Sequence, residues 1–436
     1  MKSLGIGVLG FGTVGTGTVK LLLENSELMA QRTGVALNLV RICDKDLQTD
    51  RGVDLTGVEL TDSVDKVLDG DDIDVVVELI GGYEPARSFV EQALKNGKHV
   101  VTANKALIAL HGNDLLKTAA EAGVQLLFEA SVAGAVPVVK ALRESLAANR
   151  IEEIYGILNG TCNYILTQMR VNQAPFNEVL ADAQKKGYAE ADPTFDIDGI
   201  DTAHKLTILA AIAFGTPLAF DQVHVEGIRS ITDVDILWAN RMGYRIKLLG
   251  IARRTEDGLE LRIHPTMVPE NSMVASVEDV FNAVFVKGDY SGTTMYHGRG
   301  AGEKPTAGAV VADLIDLARD AKSKSKGRVA GLSYLDKHLK EKPIRALNDV
   351  ESQYYLRFSV EDRPGVLAEI TAILRDQRIS IKTVNQDGRS STDSVPLVIM
   401  THRAKEENIR ASLAAIEKLD VVSEKPHLIR IENSLS

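Results

Sequence analysis

Six residues near the start of the chain constrain its fold more than any other feature. They form a G-x-G-x-x-G pattern, from Gly10 to Gly15, directly after the strand-like apolar run Leu4–Leu9. In this pattern the first glycine permits a tight turn, the second lets the backbone approach a pyrophosphate, and the third lets a helix pack on the strand. A helix predicted over Val14–Gln31 would offer its unpaired N–H groups to the anion. The pattern therefore predicts a dinucleotide-binding turn, with a purely structural glycine turn as the alternative.

Strands alternate with helices through the N-terminal third of the chain. Asp74–Leu79 is an apolar run of the kind expected for a strand covered on both faces, and His99–Thr102 and Gln125–Glu129 follow at βαβ spacing. A helix is predicted over Gly112–Ala122. This alternation predicts an α/β protein whose first domain is a Rossmann-type, doubly wound parallel sheet.

The regular alternation of strands and helices ends after the first third of the chain. Helices then mix with strands of a mixed or antiparallel sheet, which predicts an α+β domain, and the chain closes with the order β-α-β-β-α-β of a ferredoxin-like unit. We expect the helix at 306–321 to pack back on the first domain. The predicted divisions are a nucleotide-binding domain at 1–132, a second domain at 133–320, a linker at 321–352 and the C-terminal unit at 353–433.

Composition and charge exclude several classes of protein. The 436 residues carry a formal net charge of −10, so a broad phosphate-binding surface, and with it a nucleic-acid partner, is not expected. No apolar run reaches the roughly 20 residues that span a bilayer. The two cysteines, Cys43 and Cys162, cannot build a disulfide framework. We expect a cytoplasmic protein with no membrane partner.

The residue that ends the second predicted strand bears on the choice of dinucleotide. Asp44 follows Ala36–Cys43, where a carboxylate would accept hydrogen bonds from the ribose hydroxyls and favour NAD. Lys45, Arg41 and Arg51 are close in sequence, and any of them could pair with the 2′-phosphate of NADP. The choice between NAD and NADP therefore stays open.

Two lysines and a carboxylate are the candidate catalytic residues. Lys105 follows a predicted strand, and ligands of doubly wound folds bind at the carboxyl ends of strands. Asp201 and Lys205 lie four residues apart on a predicted helix and can touch. A lysine held by a carboxylate is a positioned proton donor, which suits aldehyde reduction because the developing alkoxide needs a proton. Glu190 would suit a substrate ammonium group.

Other interpretations of these residues remain. The acidic run from Glu190 to Asp201 could be a solvated loop, although its spacing does not fit a calcium loop. Cys162 as a nucleophile would imply acyl chemistry, but no base is evident nearby. His204 is interpreted as a packing or surface residue. A second glycine-rich turn before Thr306 could approach the nicotinamide or simply begin a helix.

These motifs resemble the monofunctional homoserine dehydrogenases with a C-terminal ACT domain, over essentially the whole chain. The motifs GFGTVG, TANK, NGTCNYIL and GRGAGEKPT contribute, with Cys162 standing where threonine is more usual. The most specific signature consists of Ala183, Gly187, Asp192-Pro193, Asp196-Ile197, Gly199, Asp201 and Lys205.

The resemblance implies reduction of L-aspartate 4-semialdehyde to L-homoserine with NADPH or NADH, on the route to threonine and methionine. It implies that Lys205 donates a proton with the help of Asp201, and that Lys105 contacts both cofactor and substrate. The implied substrate residues are Gly187, Glu190 and Asp196. The implied cofactor residues are Gly10, Phe11, Gly12, Thr13, Val14, Gly15, Asp44, Lys105 and Gly302.

The resemblance also implies features that no pattern in the sequence shows. A monovalent cation, usually sodium, would be held mostly by backbone carbonyls at Glu129, Val132, Gly134 and Val136. The middle domain would carry catalysis and dimerisation in a homodimer or homotetramer. The ACT unit would bind an amino acid, most often threonine, near Gly365 and Asn385. The alternatives are an ACT unit that only assembles subunits, a non-catalytic amino-acid sensor, and a cysteine-dependent semialdehyde dehydrogenase.

Overall fold

A computed structural model describes residues 2–325, 327–386 and 394–435 of the chain. Its strands are β1 (Lys2–Leu9), β2 (Val35–Cys43), β3 (Glu59–Thr61), β4 (Val75–Glu78), β5 (His99–Thr102), β6 (Leu126–Leu127), β7 (Ile151–Ile157), β8 (His224–Val225), β9 (Tyr244–Arg254), β10 (Leu259–Pro269), β11 (Phe281–Gly288), β12 (Gly292–Arg299), β13 (Glu351–Val360), β14 (Ile381–Gln386), β15 (Val395–Thr401), β16 (Ala404–Lys405) and β17 (His427–Ile431).

The α-helices lie between these strands, and none in the described part of the chain is long and apolar enough to cross a membrane. They are α1 (Thr13–Glu24), α2 (Ser26–Thr33), α3 (Asp65–Leu68), α4 (Ala86–Lys95), α5 (Lys105–Ala122), α6 (Val138–Lys140), α7 (Gly160–Asn172), α8 (Phe176–Lys185), α9 (Thr194–Ile197), α10 (Ile200–Phe214), α11 (Asp233–Arg241), α12 (Glu303–Ser323), α13 (Val366–Asp376) and α14 (Glu406–Ile416).

The chain divides into two compact units, each built from three segments. The first comprises residues 1–160, 201–223 and 280–342, and the second comprises residues 161–200, 224–279 and 343–436. The four-part division predicted from the sequence stays a prediction.

The first unit contains a six-stranded sheet in the order β3-β2-β1-β4-β5-β6, with all neighbouring strands parallel. The order reverses between β1 and β4, and such a switch point opens a ligand crevice at the carboxyl ends of the strands. Helix α12 packs on this sheet, because Val310 and Leu314 share a hydrophobic core with Ile6 and Val8. The predicted Rossmann-type sheet is confirmed.

The same unit also carries three strands in antiparallel pairing and a buried helix. Strand β11 pairs with β7 on one side and with β12 on the other. Helix α10 is buried along nearly its whole length, from Asp201 to Phe214. An apolar helix with no solvent-facing side is held rigidly by packing, so polar groups on it are fixed in place.

The second unit joins the hairpin β9–β10 to the ferredoxin-like unit predicted from the sequence. The C-terminal strands have the order β17-β13-β15-β14, and helices α13 and α14 cover one face, with Ile370 and Ile409 in the core. Strand β17 also pairs in parallel with β10, Thr266 opposite Arg430. The predicted β-α-β-β-α-β order is confirmed; residues 387–393 lie outside the described part.

Three local predictions were wrong. The predicted helix over Val14–Gln31 is two helices, because Asn25 leaves helical geometry between α1 and α2. Helix α5 begins at Lys105 rather than Gly112, since the Asn104 side chain accepts a hydrogen bond from the Leu107 N–H and caps the earlier start. The strand predicted over Gln125–Glu129 is only two residues long in the structure, where it is β6, and the chain turns at Glu129.

Candidate active site

Two lysines converge on one buried carboxylate in the first unit. Lys205 Nζ lies 2.7 Å from Asp201 Oδ2, and Lys105 Nζ lies 3.1 Å from Asp201 Oδ1. Lys205 Nζ also donates to the Leu158 carbonyl at 2.7 Å, and Asn159 Nδ2 donates to Asp201 Oδ2 at 2.9 Å. The structure thus brings together the three residues expected to carry the chemistry.

Three different elements hold the members of this cluster. Asp201 and Lys205 face the same way one turn apart at the start of α10, and Lys105 is the first residue of α5. Asn159 follows strand β7 and precedes α7. Asn159 begins the NGTCNYIL motif, but the sequence alone assigns it no role, because its contact with Asp201 depends on tertiary packing.

The charge state of Asp201 is set by its neighbours. Burial alone would raise the pKa of this carboxyl, but the charges of Lys205 and Lys105 and the hydrogen bonds from Lys205 and Asn159 hold the pKa far below its ordinary value. Asp201 is therefore anionic throughout the neutral range. With both lysines protonated, the cluster carries one positive charge in excess.

His204, beside Lys205, is fully buried and stacks on Phe220 with ring centroids 4.6 Å apart. Burial, and to a smaller extent the two lysines, lowers the pKa of His204 to about 4, against the opposing effect of Asp201. The imidazole is thus neutral at physiological pH. This agrees with its interpretation as a packing residue.

The glycines of the G-x-G-x-x-G turn differ in what surrounds them. Gly10 has a φ of +98°, and a Cβ there would lie 2.8 Å from the Leu79 backbone; a Cβ on Gly15 would lie 2.2 Å from the Gly10 carbonyl. A Cβ on Gly12 would meet nothing within 4 Å. Gly12 is also the N-cap of α1, with no side-chain cap. Open space at an uncapped helix N-terminus fits a dinucleotide phosphate.

Asp44 lies directly against this turn. Its Oδ2 accepts a hydrogen bond from the Phe11 N–H at 2.5 Å, and its Oδ1 lies 3.9 Å from Arg51. The Arg51 guanidinium also lies over the Phe11 ring, 4.8 Å from its centroid. Arg41, by contrast, pairs with Glu59 at 2.6 Å. Of the two arginines, Arg51 therefore contacts the turn, whereas Arg41 is paired with β3.

The second glycine-rich turn approaches the first helix. Gly302 has a φ of +127° and begins α12. Glu303, the next residue, pairs with Lys20 at 3.5 Å, and a Cβ on Gly17 would lie 2.6 Å from the Glu303 side chain. Gly302 thus lies beside α1, on which Thr13 and Val14 form the first turn.

The expected substrate residues belong to the second unit. Gly187 ends the turn after α8 with a φ of +75°, and Glu190 is exposed. Asp196 is half-buried in α9, and its backbone carbonyl accepts a hydrogen bond from the Cys162 thiol at 3.2 Å. Cys162 is fully buried, which disfavours it as a nucleophile. The positions expected for the sodium ion, from Glu129 to Val136, and for the effector, near Gly365, lie in other segments of the chain.

Glu129, expected at a cation site, is a buried carboxyl with one unsatisfied oxygen. Its Oε2 accepts a hydrogen bond from the backbone N–H of Lys140 at 2.7 Å, but Oε1 has no hydrogen-bond partner among the described residues. Burial and the nearby Asp313 raise the pKa of Glu129 to about 8. The following loop contains positive φ angles at Ala133 and Gly134. A buried, unsatisfied oxygen is a suitable ligand for a hard cation.

A cavity of about 320 Å³ lies at the start of α13 in the C-terminal unit. Gly365, with a φ of +100°, is the N-cap of α13 and lines this cavity together with Arg363 and Gln386. Asn385 is not among the lining residues; its Nδ2 lies 4.0 Å from the Met242 sulfur. Gln386, the residue after Asn385, lines the cavity instead, and the effector site stays a prediction.

Comparison with known proteins places these features in one family. The family model described as the NAD-binding domain of homoserine dehydrogenase matches residues 10–129, the homoserine dehydrogenase model matches 137–315, and the ACT domain model matches 354–421. A homoserine dehydrogenase of Pseudomonas aeruginosa is 48% identical over 433 residues, covering 99% of both chains. The chain belongs to the homoserine dehydrogenase family. It is an oxidoreductase with a C-terminal ACT domain, as the resemblance implied.

Other homoserine dehydrogenases agree in sequence and in structure. The protein of Neisseria gonorrhoeae is 45% identical and covers 99% of each chain. A crystal structure of a homoserine dehydrogenase from Thiobacillus denitrificans superposes with a TM-score of 0.94 at 50% identity, again over 99% of each chain. An archaeal homoserine dehydrogenase in complex with NADPH gives a TM-score of 0.61 at 26% identity, over 74% of this chain and 98% of that one.

Proposed function

We propose that the protein catalyses the reversible, NAD(P)H-dependent reduction of L-aspartate 4-semialdehyde to L-homoserine, with Lys205 as the proton donor. The contacts of Lys205 carry this proposal. Two of its three N–H groups bond to Leu158 and Asp201, and the third has no acceptor among the described residues. That N–H is available to the aldehyde oxygen.

The excess positive charge of the lysine cluster supports the same step. When a hydride adds to the carbonyl carbon, negative charge develops on the oxygen. One anionic Asp201 between two cationic lysines leaves one positive charge to stabilise this alkoxide. Lys205 then transfers its proton to the oxygen, and Asp201 holds both ammonium groups in position.

The cofactor residues fit a bound dinucleotide. The nicotinamide supplies the hydride when the cofactor is present. In our proposal the backbone from Gly10 to Gly15 holds the pyrophosphate, with Phe11, Gly12, Thr13 and Val14 in contact with it, and Gly302 contributes from the second turn. Asp44 would bind the ribose hydroxyls of NAD, whereas Arg51, beside Asp44 and Phe11, would pair with the 2′-phosphate of NADP. Both cofactors are therefore proposed.

We propose the substrate-binding residues from the charges of the side chains and of the substrate. An exposed carboxylate such as Glu190 can pair with the ammonium group of an amino-acid aldehyde, with Gly187 and Asp196 close to it in sequence. The intact cluster of Lys205, Asp201 and Lys105 agrees with an oxidoreductase and disfavours the non-catalytic sensor. The cysteine-dependent alternative is disfavoured by the burial of Cys162.

Homoserine oxidation measured with NAD and NADP in parallel, with and without threonine, tests the proposed function. Turnover of homoserine with either dinucleotide supports it, and absence of turnover with both contradicts it. Inhibition by threonine would support a regulatory ligand at the cavity lined by Gly365. Threonine without effect would favour an ACT unit that only assembles subunits.

Replacing Gly12 by valine should weaken cofactor binding without harming the fold. Because a Cβ on Gly12 meets nothing within 4 Å, the side chain would fill the space proposed for the pyrophosphate. We expect the KM for the dinucleotide to rise at least about tenfold, equivalent to about 1.4 kcal/mol, with an unchanged melting temperature. Gly308→Val, at an exposed position in α12 where a Cβ likewise meets nothing within 4 Å, is the control for binding. An unchanged KM in Gly12→Val would contradict the placement of the pyrophosphate.

We also propose a sodium ion at Glu129, with backbone carbonyls of Val132, Gly134 and Val136 as further ligands. The unsatisfied Oε1 of Glu129 supports this. Replacing tetramethylammonium by sodium at constant ionic strength should raise the melting temperature of the unaltered chain. Glu129→Gln should abolish that increase, whereas Glu121→Gln, on an exposed side chain, should retain it. An equal sodium effect in both variants would exclude Glu129 as a ligand.

The wider setting is proposed from the family. The reaction would serve threonine and methionine biosynthesis in the cytoplasm, and the enzyme would be a homodimer or homotetramer assembled through its middle domain. Light scattering coupled to size-exclusion chromatography gives the oligomeric state directly. A monomer at micromolar concentration would contradict this part of the proposal.

A further inference from the structure

A second cavity lies in the first unit, at residues given no part in the proposed reaction. Its volume is about 590 Å³, within the range of roughly 300–1,000 Å³ typical of small-molecule sites. Helix α5 and strand β6 form one side, and the segment 327–339 forms the other. This segment falls within the linker predicted at 321–352.

The lining is largely apolar. Leu116, Leu126 and Leu127 contribute from α5 and β6, and Leu332 and Leu335 from the opposite segment. Leu335 is 59% exposed, although it is a large aliphatic side chain. A ligand with an apolar body would remove such surface from water, which is worth about 25 cal/mol per Å².

One buried charge interrupts the apolar lining. Arg143 lines the cavity and is only 6% exposed. Its Nε has no hydrogen-bond partner among the described residues, although burying a guanidinium is costly unless its donors are satisfied. No ion pair of Arg143 is found within 4 Å in the described part of the chain, although its positive charge interacts at longer range with the buried carboxyls of Glu129 and Asp313. A buried, incompletely partnered guanidinium therefore lies at an apolar cavity.

The remaining charges at the cavity favour an anion. Lys117 and Arg328 also line it, against a single carboxylate, Asp336. Arg328 is already paired with Asp316 and Asp320 at 3.1 and 3.0 Å. The Lys117 side chain is 76% exposed, so Arg143 is the buried cation at the cavity. A guanidinium binds a carboxylate through two parallel hydrogen bonds.

We propose that this cavity binds a small organic carboxylate with an apolar body, whose carboxylate pairs with Arg143. The ligand would lie between α5 and the segment 327–339 and would fix that segment to the helix. This site is separate from the lysine cluster at Asp201 and from the cavity at Gly365. It would give the enzyme a response to an organic acid that does not depend on the ACT domain.

Calorimetric titration with 3-phenylpropionate tests the proposal, with the uncharged 3-phenylpropanamide as the matched probe. We expect the carboxylate to bind at least tenfold more tightly than the amide. Ala120→Trp, at an exposed position that lines the cavity, should fill it and weaken carboxylate binding at least tenfold. Ala122→Trp, at the end of the same helix but outside the lining, is the control and should bind as the unaltered chain does.

Arg143→Gln should remove the preference for the carboxylate over the amide. Because this residue is buried, the variant requires a folding check by circular dichroism, and Ala120→Trp keeps the test decisive if Arg143→Gln does not fold. Equal binding of carboxylate and amide would overturn the role of Arg143. Absence of carboxylate binding, or binding that Ala120→Trp leaves unchanged, would overturn the site.

Discussion

Lys205→Ala should lower kcat for homoserine oxidation by about 10²–10⁴-fold, the usual contribution of a positioned proton-transfer group. The loss follows from removing the N–H that is proposed to donate to the substrate oxygen and from removing the excess positive charge around Asp201. The KM for the dinucleotide should change little, because Lys205 makes its described contacts with Asp201 and Leu158 only. Steady-state kinetics with both substrates, together with cofactor titration by fluorescence, measures these effects.

Lys98→Ala is the matched control for this prediction. Lys98 is 7% exposed against 8% for Lys205, and its ammonium also donates to backbone carbonyls, those of Gly70 and Ile73. It lies just before β5, at the end of the sheet opposite to the strand carboxyl ends. The control should lose stability but keep its kcat. If Lys205→Ala turned over homoserine as fast as Lys98→Ala does, the proposed proton donor would be wrong.

Arg430→Met should destabilise the second unit by about 3–5 kcal/mol, the usual cost of leaving buried charges without their partner. Arg430 is 1% exposed. Its guanidinium bonds to Glu406 at 2.9 and 2.5 Å and to Glu226 at 2.7 and 3.0 Å. Removing it leaves two carboxylates close together with their main cation gone. Urea unfolding followed by circular dichroism measures the change.

The loss in the free energy of unfolding caused by Arg430→Met should become smaller as the pH falls. Burial would raise the pKa of Glu226, but hydrogen bonds from His224 and Arg430 hold that pKa well below its ordinary value. A lowered folded-state pKa contributes stability above the unfolded-state pKa of about 4.3, and that contribution is lost as the pH falls. The difference between the variant and the unaltered chain should therefore shrink below about pH 4–5.

Arg375→Met provides the comparison for Arg430→Met. Arg375 pairs with Asp376 at 2.7 Å, but its side chain is 74% exposed, where an ion pair contributes little. Its unfolding midpoint should match that of the unaltered chain at every pH. Equal midpoints for Arg430→Met and Arg375→Met would show that the buried network does not stabilise the unit.

Much of the fold could be predicted because its signals are local. Glycine spacing and the strand–helix alternation indicated the Rossmann-type sheet, and the order of the last elements indicated the ferredoxin-like unit. The contact between Asp201 and Lys205 could be anticipated from their spacing on one helix, since residues four apart share a face. The structure has that contact at 2.7 Å.

The rest depends on packing between distant segments. Lys105 and Asn159 reach Asp201 only because the first turns of α5 and α10 and the end of β7 meet at one place. The ion pair of Glu226 with Arg430 joins residues 204 positions apart, and no sequence pattern connects them. The break at Asn25 was missed because apolar residues continue at helical spacing on both sides of it.

The parallel pairing of β17 with β10 has a consequence for protein engineering. Deleting residues 343–436 to make an enzyme without feedback control would remove the neighbour of Thr266 and Met267 along β10. The cut would leave backbone N–H and C=O groups of β10 open to pairing with other chains, which promotes aggregation. Feedback-resistant forms are thus better sought by point substitutions around Gly365, where the effector is proposed to bind, than by truncation.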